Sequence, residues 1–217
     1  MQTPIIQQIP GPVGLIETAA LLCALDQTMP SRALLLLHPH PLHGGSMGNK
    51  VVTTMARAAR DAGLACVAFN FRGVGRSEGV WDRGVGEVHD VLAVATQMAT
   101  QGVRELCLAG FSFGASMAAN AISELRQQCP SLQIMDLIQV APAVENFPIQ
   151  SDWLRGLPPL VLFNADDEVV SAEAMSDYAN SIGVEPSVHP IGGHFYHGHL
   201  TRLKSTVISH WQARGVI

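Results

Sequence analysis

Lysine is nearly missing from this 217-residue chain: only Lys50 and Lys204 occur, and charged residues make up just 14%, against the quarter or so usual in soluble domains. With a net charge of −5, the chain has no excess of cations to displace counterions from phosphates, which argues against nucleic-acid binding. No apolar run approaches the roughly 18 residues of a membrane span. Met1–Pro10 has neither the basic patch nor the apolar stretch of a secretory leader. Cysteine is sparse and unpaired in sequence: Cys23, Cys66, Cys107 and Cys129 form no C-x-x-C. Cys66 and Cys107 lie in apolar runs and read as small buried hydrophobes. Repeats, low-complexity tracts and Ser/Gly linkers are lacking too, so residues 1–217 are expected to form one domain, soluble, reduced and cytoplasmic. Apolar residues are plentiful at 47%, enough for a large core and too many for a disordered chain.

Those apolar residues fall into an alternating pattern. Short continuous runs at Ala33–Leu37, Ala65–Phe69, Leu106–Ala109, Leu137–Val140 and Leu160–Phe163 suit strands buried on both faces. Between them, Asn49–Ala62, Gly86–Thr100 and a C-terminal stretch through Leu200, Leu203, Val207 and Trp211 carry apolar residues at three–four spacing, the mark of helices with one buried stripe. Ile5–Ile9 and Leu15–Leu25 have only Pro10, Gly11, Pro12 and Gly14 as punctuation between them, which predicts an antiparallel hairpin. The fold class expected is α/β: a doubly wound, mostly parallel sheet with an antiparallel N-terminal hairpin.

Gly110-Phe111-Ser112-Phe113-Gly114 follows one of these strands directly and precedes a helix-forming stretch, Ala115–Leu125. A serine in a sharp strand-to-helix turn projects its hydroxyl from the top of a sheet. Strand and helix then pass so closely that the positions two before and two after have no room for a side chain. The alternative for Ser112 is an ordinary helix cap. Two further strings accompany the motif: His38-Pro39-His40-Pro41-Leu42-His43-Gly44-Gly45 after the third strand, and Phe69-Asn70-Phe71-Arg72-Gly73-Val74-Gly75-Arg76-Ser77 after the fourth. With these residues the chain resembles the α/β-hydrolase superfamily over nearly its whole length, and most of all its small lidless bacterial serine hydrolases with an H-P-H-P loop. Dienelactone hydrolases are related but use a cysteine where this chain has Ser112.

The resemblance implies the chain order nucleophile, acid, histidine. The superfamily's G-x-x-D-x-x-V pattern falls on Asn164, Asp167 and Val170, which makes Asp167 the expected acid, with Asp166 the alternative and Asn164 standing where glycine is usual. Gly192-Gly193-His194-Phe195 follows the strand-like Val184–Ile191 immediately, and His194 is the expected base; His189 lies within that strand, and His197 and His199 are expected to begin the last helix. Two backbone N–H groups should face the oxyanion. One is that of Phe113, the residue after the nucleophile. The other comes from the loop after the third strand, where Pro39 and Pro41 have no N–H to give, leaving Leu42, favoured, or His40. His38 is expected to orient that loop by hydrogen bonds. The histidines also admit a metal site, but no H-E-x-x-H or C-x-x-C occurs. The glycine clusters match neither the dinucleotide nor the phosphate-loop spacing, so no metal and no cofactor are expected.

The segment Ala141–Pro158 is too short for the cap that the superfamily often inserts after its sixth strand. An open site walled by Phe113, Phe147, Trp153 and Phe195 is therefore expected, fitting small or short-chain acyl esters hydrolysed through an acyl-enzyme. The expected partner is a small-molecule ester, with no nucleic acid and no membrane. A thioesterase or peptidase using the same triad, or a silent binding protein on the same fold, are the alternatives.

Overall fold

Pro12 and Val13 turn the chain between its first two strands, Ile5–Gly11 (β1) and Gly14–Leu21 (β2), which pair antiparallel with Ile9 opposite Ile16. The computed structural model describes residues 3–217, so Met1 and Gln2 lie outside the described residues. The remaining strands are Arg32–Leu37 (β3), Ala65–Phe69 (β4), Glu105–Phe111 (β5), Gln133–Val140 (β6), Leu160–Asn164 (β7) and Ser187–His189 (β8). They form one sheet in the order β1-β2-β4-β3-β5-β6-β7-β8. β2 is antiparallel to both its neighbours, and every pair from β4 onward is parallel.

Parallel strands need helical crossovers, and these bury both faces of the sheet. The helices are Lys50–Asp61 (α1), Val85–Thr100 (α2), Phe113–Asn120 (α3), Ile122–Gln128 (α4), Ala172–Ser181 (α5) and Leu200–Ala213 (α6). α1 packs on β3, β4 and β5 and against α6, whereas α3 packs on β3, β5 and β6 and against α2. Two helices that share β3 and β5 must lie on opposite faces. Leu34 to Leu37 at the centre are fully buried, so truncating one of them to alanine should cost about 2–5 kcal/mol. Between β6 and β7 the chain makes only a short 3-10 turn at Ser151–Leu154, so there is no cap domain. All four cysteines are free thiols, and burial pushes Cys66 and Cys107 up to about 12, the inert behaviour of packed hydrophobes.

Three local expectations need correction, and one helix was not anticipated. The strand expected over Val184–Ile191 shrinks to Ser187–His189, because Pro186 and Pro190 flank it and proline supplies no ladder donor. The helical stretch after Ser112 starts two residues early, at Phe113, and is interrupted at Ala121. His197 and His199 do not begin the last helix; α6 starts at Leu200, with His199 at its N-cap and His197 in the preceding turn. α5 had no counterpart in the apolar pattern, although Met175, Tyr178 and Ala179 hold its buried face and the Ser171 hydroxyl caps it by accepting from the Ala174 N–H. Among the described residues no helix is long and apolar enough to cross a membrane.

Candidate active site

Ser112 takes φ 54° and ψ −118°, a conformation an L-residue avoids at a cost of about 1–3 kcal/mol. The surroundings hold it there: its N–H donates to Val140 O at 2.8 Å, and its carbonyl accepts from the N–H groups of Ala115 (3.0 Å) and Ala143 (3.3 Å). A side chain at Gly110 would collide with the Gly114 carbonyl group, and one at Gly114 with the carbonyls of Leu37 and His38. Both glycines are thus set by closeness of backbone to backbone. The hydroxyl-bearing residue is left at the C-terminal edge of the sheet, at the N-cap of α3, without capping it. The helix-cap alternative is excluded by that absent cap bond. Phe113 N–H opens the first turn of α3, where helical N–H groups have no intrahelical acceptor and the helix dipole is positive.

Asp167, after β7, and His194, after β8, meet. His194 Nδ1 lies 2.8 Å from Asp167 Oδ2 and 3.1 Å from Oδ1, with the two side chains 2% and 0% exposed. Nδ1–H therefore donates to the carboxylate and Nε2 is left as the basic nitrogen. The imidazole lies over Phe111, the residue before Ser112, with ring centroids 4.8 Å apart. This sets it beside the elbow, although no hydrogen bond joins the Ser112 hydroxyl to the ring in this state. Catalytic bonds of this kind are often formed only with substrate bound.

Three residues that the sequence did not single out, or assigned otherwise, build the loop that carries His194. Asp166, the alternative acid, does not reach the ring; its carboxylate accepts from Gly193 N (2.9 Å) and Gly192 N (3.1 Å), and these bonds hold it below the usual carboxylate range. Glu168 accepts from His194 N at 3.0 Å. Buried Asn164, in the place where the superfamily has glycine, donates its Nδ2–H to Gly193 O at 2.8 Å. A polar side chain at a position usually lacking one was the available signal for this last tie.

The loop after β3 is built around His38, which is fully buried. Its Nε2 accepts from Phe71 N at 3.0 Å, so Nδ1–H donates to Pro39 O at 2.6 Å, and burial pushes the ring down to about 4. His38 is a neutral brace between the loops after β3 and β4, as the sequence reading expected. Leu42, the favoured second donor, already gives its N–H to His40 Nδ1 at 3.2 Å. This is a cap of the 3-10 turn Pro41–His43, and it leaves His40 N–H as the better-placed candidate.

Around this edge the side chains are aromatic. His40 stacks near Trp81 (4.4 Å) and Phe113 (5.3 Å), and Phe113 meets Phe147 at 4.8 Å. Phe195 packs edge-on to His194 at 5.1 Å, on the other side of the base. Trp153 does not join them: it sits in the 3-10 turn beside α4, its carbonyl taking a hydrogen bond from Arg126 at 2.8 Å. Trp81 occupies the wall in its place, carried there by the loop that Arg72, paired to buried Asp90 at 2.8 Å, anchors below it. Sequence spacing had no way to bring residue 81 beside residue 40. Hollows of about 240 Å³ beside Phe147 and about 340 Å³ beside Phe195 flank the edge.

A family model described as serine aminopeptidase, S33, matches residues 40–160. An uncharacterized protein of Rickettsia prowazekii is 33% identical over 183 residues, covering 82% of this chain and 73% of that protein. An α/β serine hydrolase homologue from Coxiella burnetii is 38% identical and superposes with a TM-score of 0.81 over 97% of this chain and 98% of that one. An α/β serine hydrolase without lid from Xanthomonas campestris is 32% identical, with a TM-score of 0.83 over 98% and 95%.

Proposed function

Since the chain belongs to the serine aminopeptidase S33 family and is an α/β serine hydrolase, we propose that it is a carboxylesterase acting on small or short-chain acyl esters through an acyl-enzyme. Ser112 Oγ attacks the ester carbonyl carbon while His194 Nε2 takes its proton, and Asp167 holds the imidazole and stabilises its cationic form. The N–H groups of Phe113 and His40 receive the developing oxyanion, each contributing about 10²–10³ in turnover. As the tetrahedral intermediate collapses, His194 returns the proton to the leaving alcohol. Water, deprotonated by the same nitrogen, then attacks the acyl-serine, and Ser112 leaves with the proton as the carboxylic acid departs.

The observation that carries this reading is the buried His194–Asp167 pair set against the strained Ser112 elbow. Ester rather than peptide chemistry is favoured by the wall. An aminopeptidase must hold a free ammonium, which calls for an unengaged carboxylate at the mouth. Asp166, Asp167 and Glu168 are all engaged on the His194 loop, Glu145 accepts from Ser171 N, and Asp82, beside Trp81, faces the Arg72 guanidinium at 3.7 Å. Trp81, Phe113 and Phe147 offer apolar rings instead, which suit an acyl group better than an ammonium.

The test compares p-nitrophenyl butyrate, p-nitrophenyl palmitate and aminoacyl p-nitroanilides, together with labelling by a fluorophosphonate. Butyrate should be preferred to palmitate, the anilides should be poor, and Ser112→Ala should lose label and about 10⁴-fold or more of turnover. Equal labelling of wild type and Ser112→Ala, or activity that survives that change and falls with chelator, would sink the mechanism. Faster anilide than ester turnover would give the site to peptides.

A further inference from the structure

Away from the Ser112 edge, a groove of about 610 Å³ runs between the β1–β2 hairpin and α1. The register sets Ile6 opposite Ala19, Ala19 opposite Ala68 and Leu21 opposite Cys66, so these five side chains share one face and floor the groove. Ala19, Ala56 and Ala68 are short, and their shortness gives the groove its depth. Concave, mostly apolar cavities of this size with a few polar groups at their ends are the usual form of a small-molecule site.

The two ends differ in charge. α1 runs antiparallel to β4, so Arg57 and Arg60 in its second half lie over the end of the groove floored by Leu21 and Cys66. Arg60 is paired to Asp61, while Arg57 makes no ion pair among the described residues. At the opposite end, beyond Asn70 and Gly75, stands the buried carboxylate of Glu17, which accepts from Asn70 Nδ2 at 2.8 Å and is neutralised by Arg76 at 2.9 Å, so that end carries no free charge. No carboxylate lines the groove itself, in a chain with more acidic than basic residues. From Cys66 to Asn70 the floor spans about 13 Å at ~3.3 Å per strand residue, the length of a medium alkyl chain.

We propose that this groove is a second ligand site, separate from the Ser112 edge, that binds a linear alkyl anion with its chain along the hairpin floor and its carboxylate on Arg57 and Arg60. The apolar floor supplies affinity through burial of the chain. The unpaired Arg57 guanidinium at one end, against the neutralised Glu17–Arg76 pair at the other, fixes the direction in which it lies. The inference does not depend on the esterase reading, because binding is measured without turnover.

Calorimetric titration with sodium decanoate below its micelle concentration tests it. One molecule should bind saturably to the wild type and, unchanged, to protein phosphonylated at Ser112. Arg57→Glu, at an exposed position, should weaken decanoate about tenfold yet leave decanol binding alone. Ala19→Trp should abolish both by filling the floor, and a strand accepts an aromatic there. Thermal melting establishes that each variant is folded; should Ala19→Trp fail, Arg57→Glu alone decides. The proposal is overturned if decanoate does not bind, if Arg57→Glu leaves its affinity unchanged, or if phosphonylation blocks it. It is equally overturned if the groove proves to hold a second copy of the chain, seen as a concentration-dependent dimer that Ala19→Trp dissolves.

Discussion

Asp166, Asp167 and Glu168 are consecutive in the chain, yet each reaches a different group of the His194 loop: two glycine N–H groups, the imidazole, and the His194 N–H. Only Asp167 fixes the tautomer of the ring. Asp167→Asn is therefore expected to lower kcat by about 10⁴, because the imidazole can no longer rely on an anionic acceptor at Nδ1. Asp166→Asn, which keeps an acceptor for one glycine N–H, should cost less than about tenfold; steady-state ester hydrolysis by the two variants separates the roles. His38 gives a different kind of prediction. Its ring is held down to about 4 when folded, against about 6.5 in an unfolded chain, so between these values the unfolded state binds a proton that the folded state refuses. Stability should thus be full above about pH 6.5 and fall by about 3 kcal/mol as pH drops to 4. Denaturant titrations across that range should show this limb in the wild type and lose it in His38→Gln, whose amide can still accept from Phe71 and donate to Pro39.

At the scale of the element, the strand–turn–helix around Ser112 was legible because its cause is local: a strained residue needs small neighbours, and Gly110 and Gly114 are visible as letters. Ser112→Gly should remove activity while raising stability by about 1 kcal/mol, since glycine adopts φ 54° without strain; a thermal melt of the variant checks it. Gly114→Ala should do the opposite, because a Cβ there meets the Leu37 and His38 carbonyls and cannot be relieved without separating α3 from β3. Its melting midpoint should fall by several degrees or the protein should fail to fold. β8 and α5 were less legible. Three residues between two prolines carry little periodicity, and α5 has only three buried side chains to reveal it.

For the whole molecule, the sheet order decides what meets. β5, β7 and the loop after β8 end on the same edge because their strands are parallel, and so Asp167 meets His194 and the His194 ring comes to lie over Phe111, next to Ser112. The far end of the sheet is closed similarly: Asp136 on β6, wholly buried, accepts from His210 of α6 at 2.9 Å. Removing the hydrogen-bond partner of a buried carboxylate is costly, and Arg214 at 4.0 Å compensates only in part, so His210→Leu should destabilise the fold by about 1–3 kcal/mol, read as a shift in urea midpoint without a change in slope. The sequence by itself determined the alternation of strands and helices, the hairpin and the nucleophile with its glycines, because these follow from side-chain period and backbone sterics within a few residues. The order of acid and histidine along the chain came from the resemblance to the superfamily. Only the tertiary structure decided that Asp167 and not Asp166 faces the ring, that Leu42 spends its N–H on His40, that Trp81 and not Trp153 walls the site, and that an open groove runs beside α1. Each of these depends on which loops the sheet brings side by side, and distances between loops are set by the packing of the entire core rather than by any stretch of neighbouring residues.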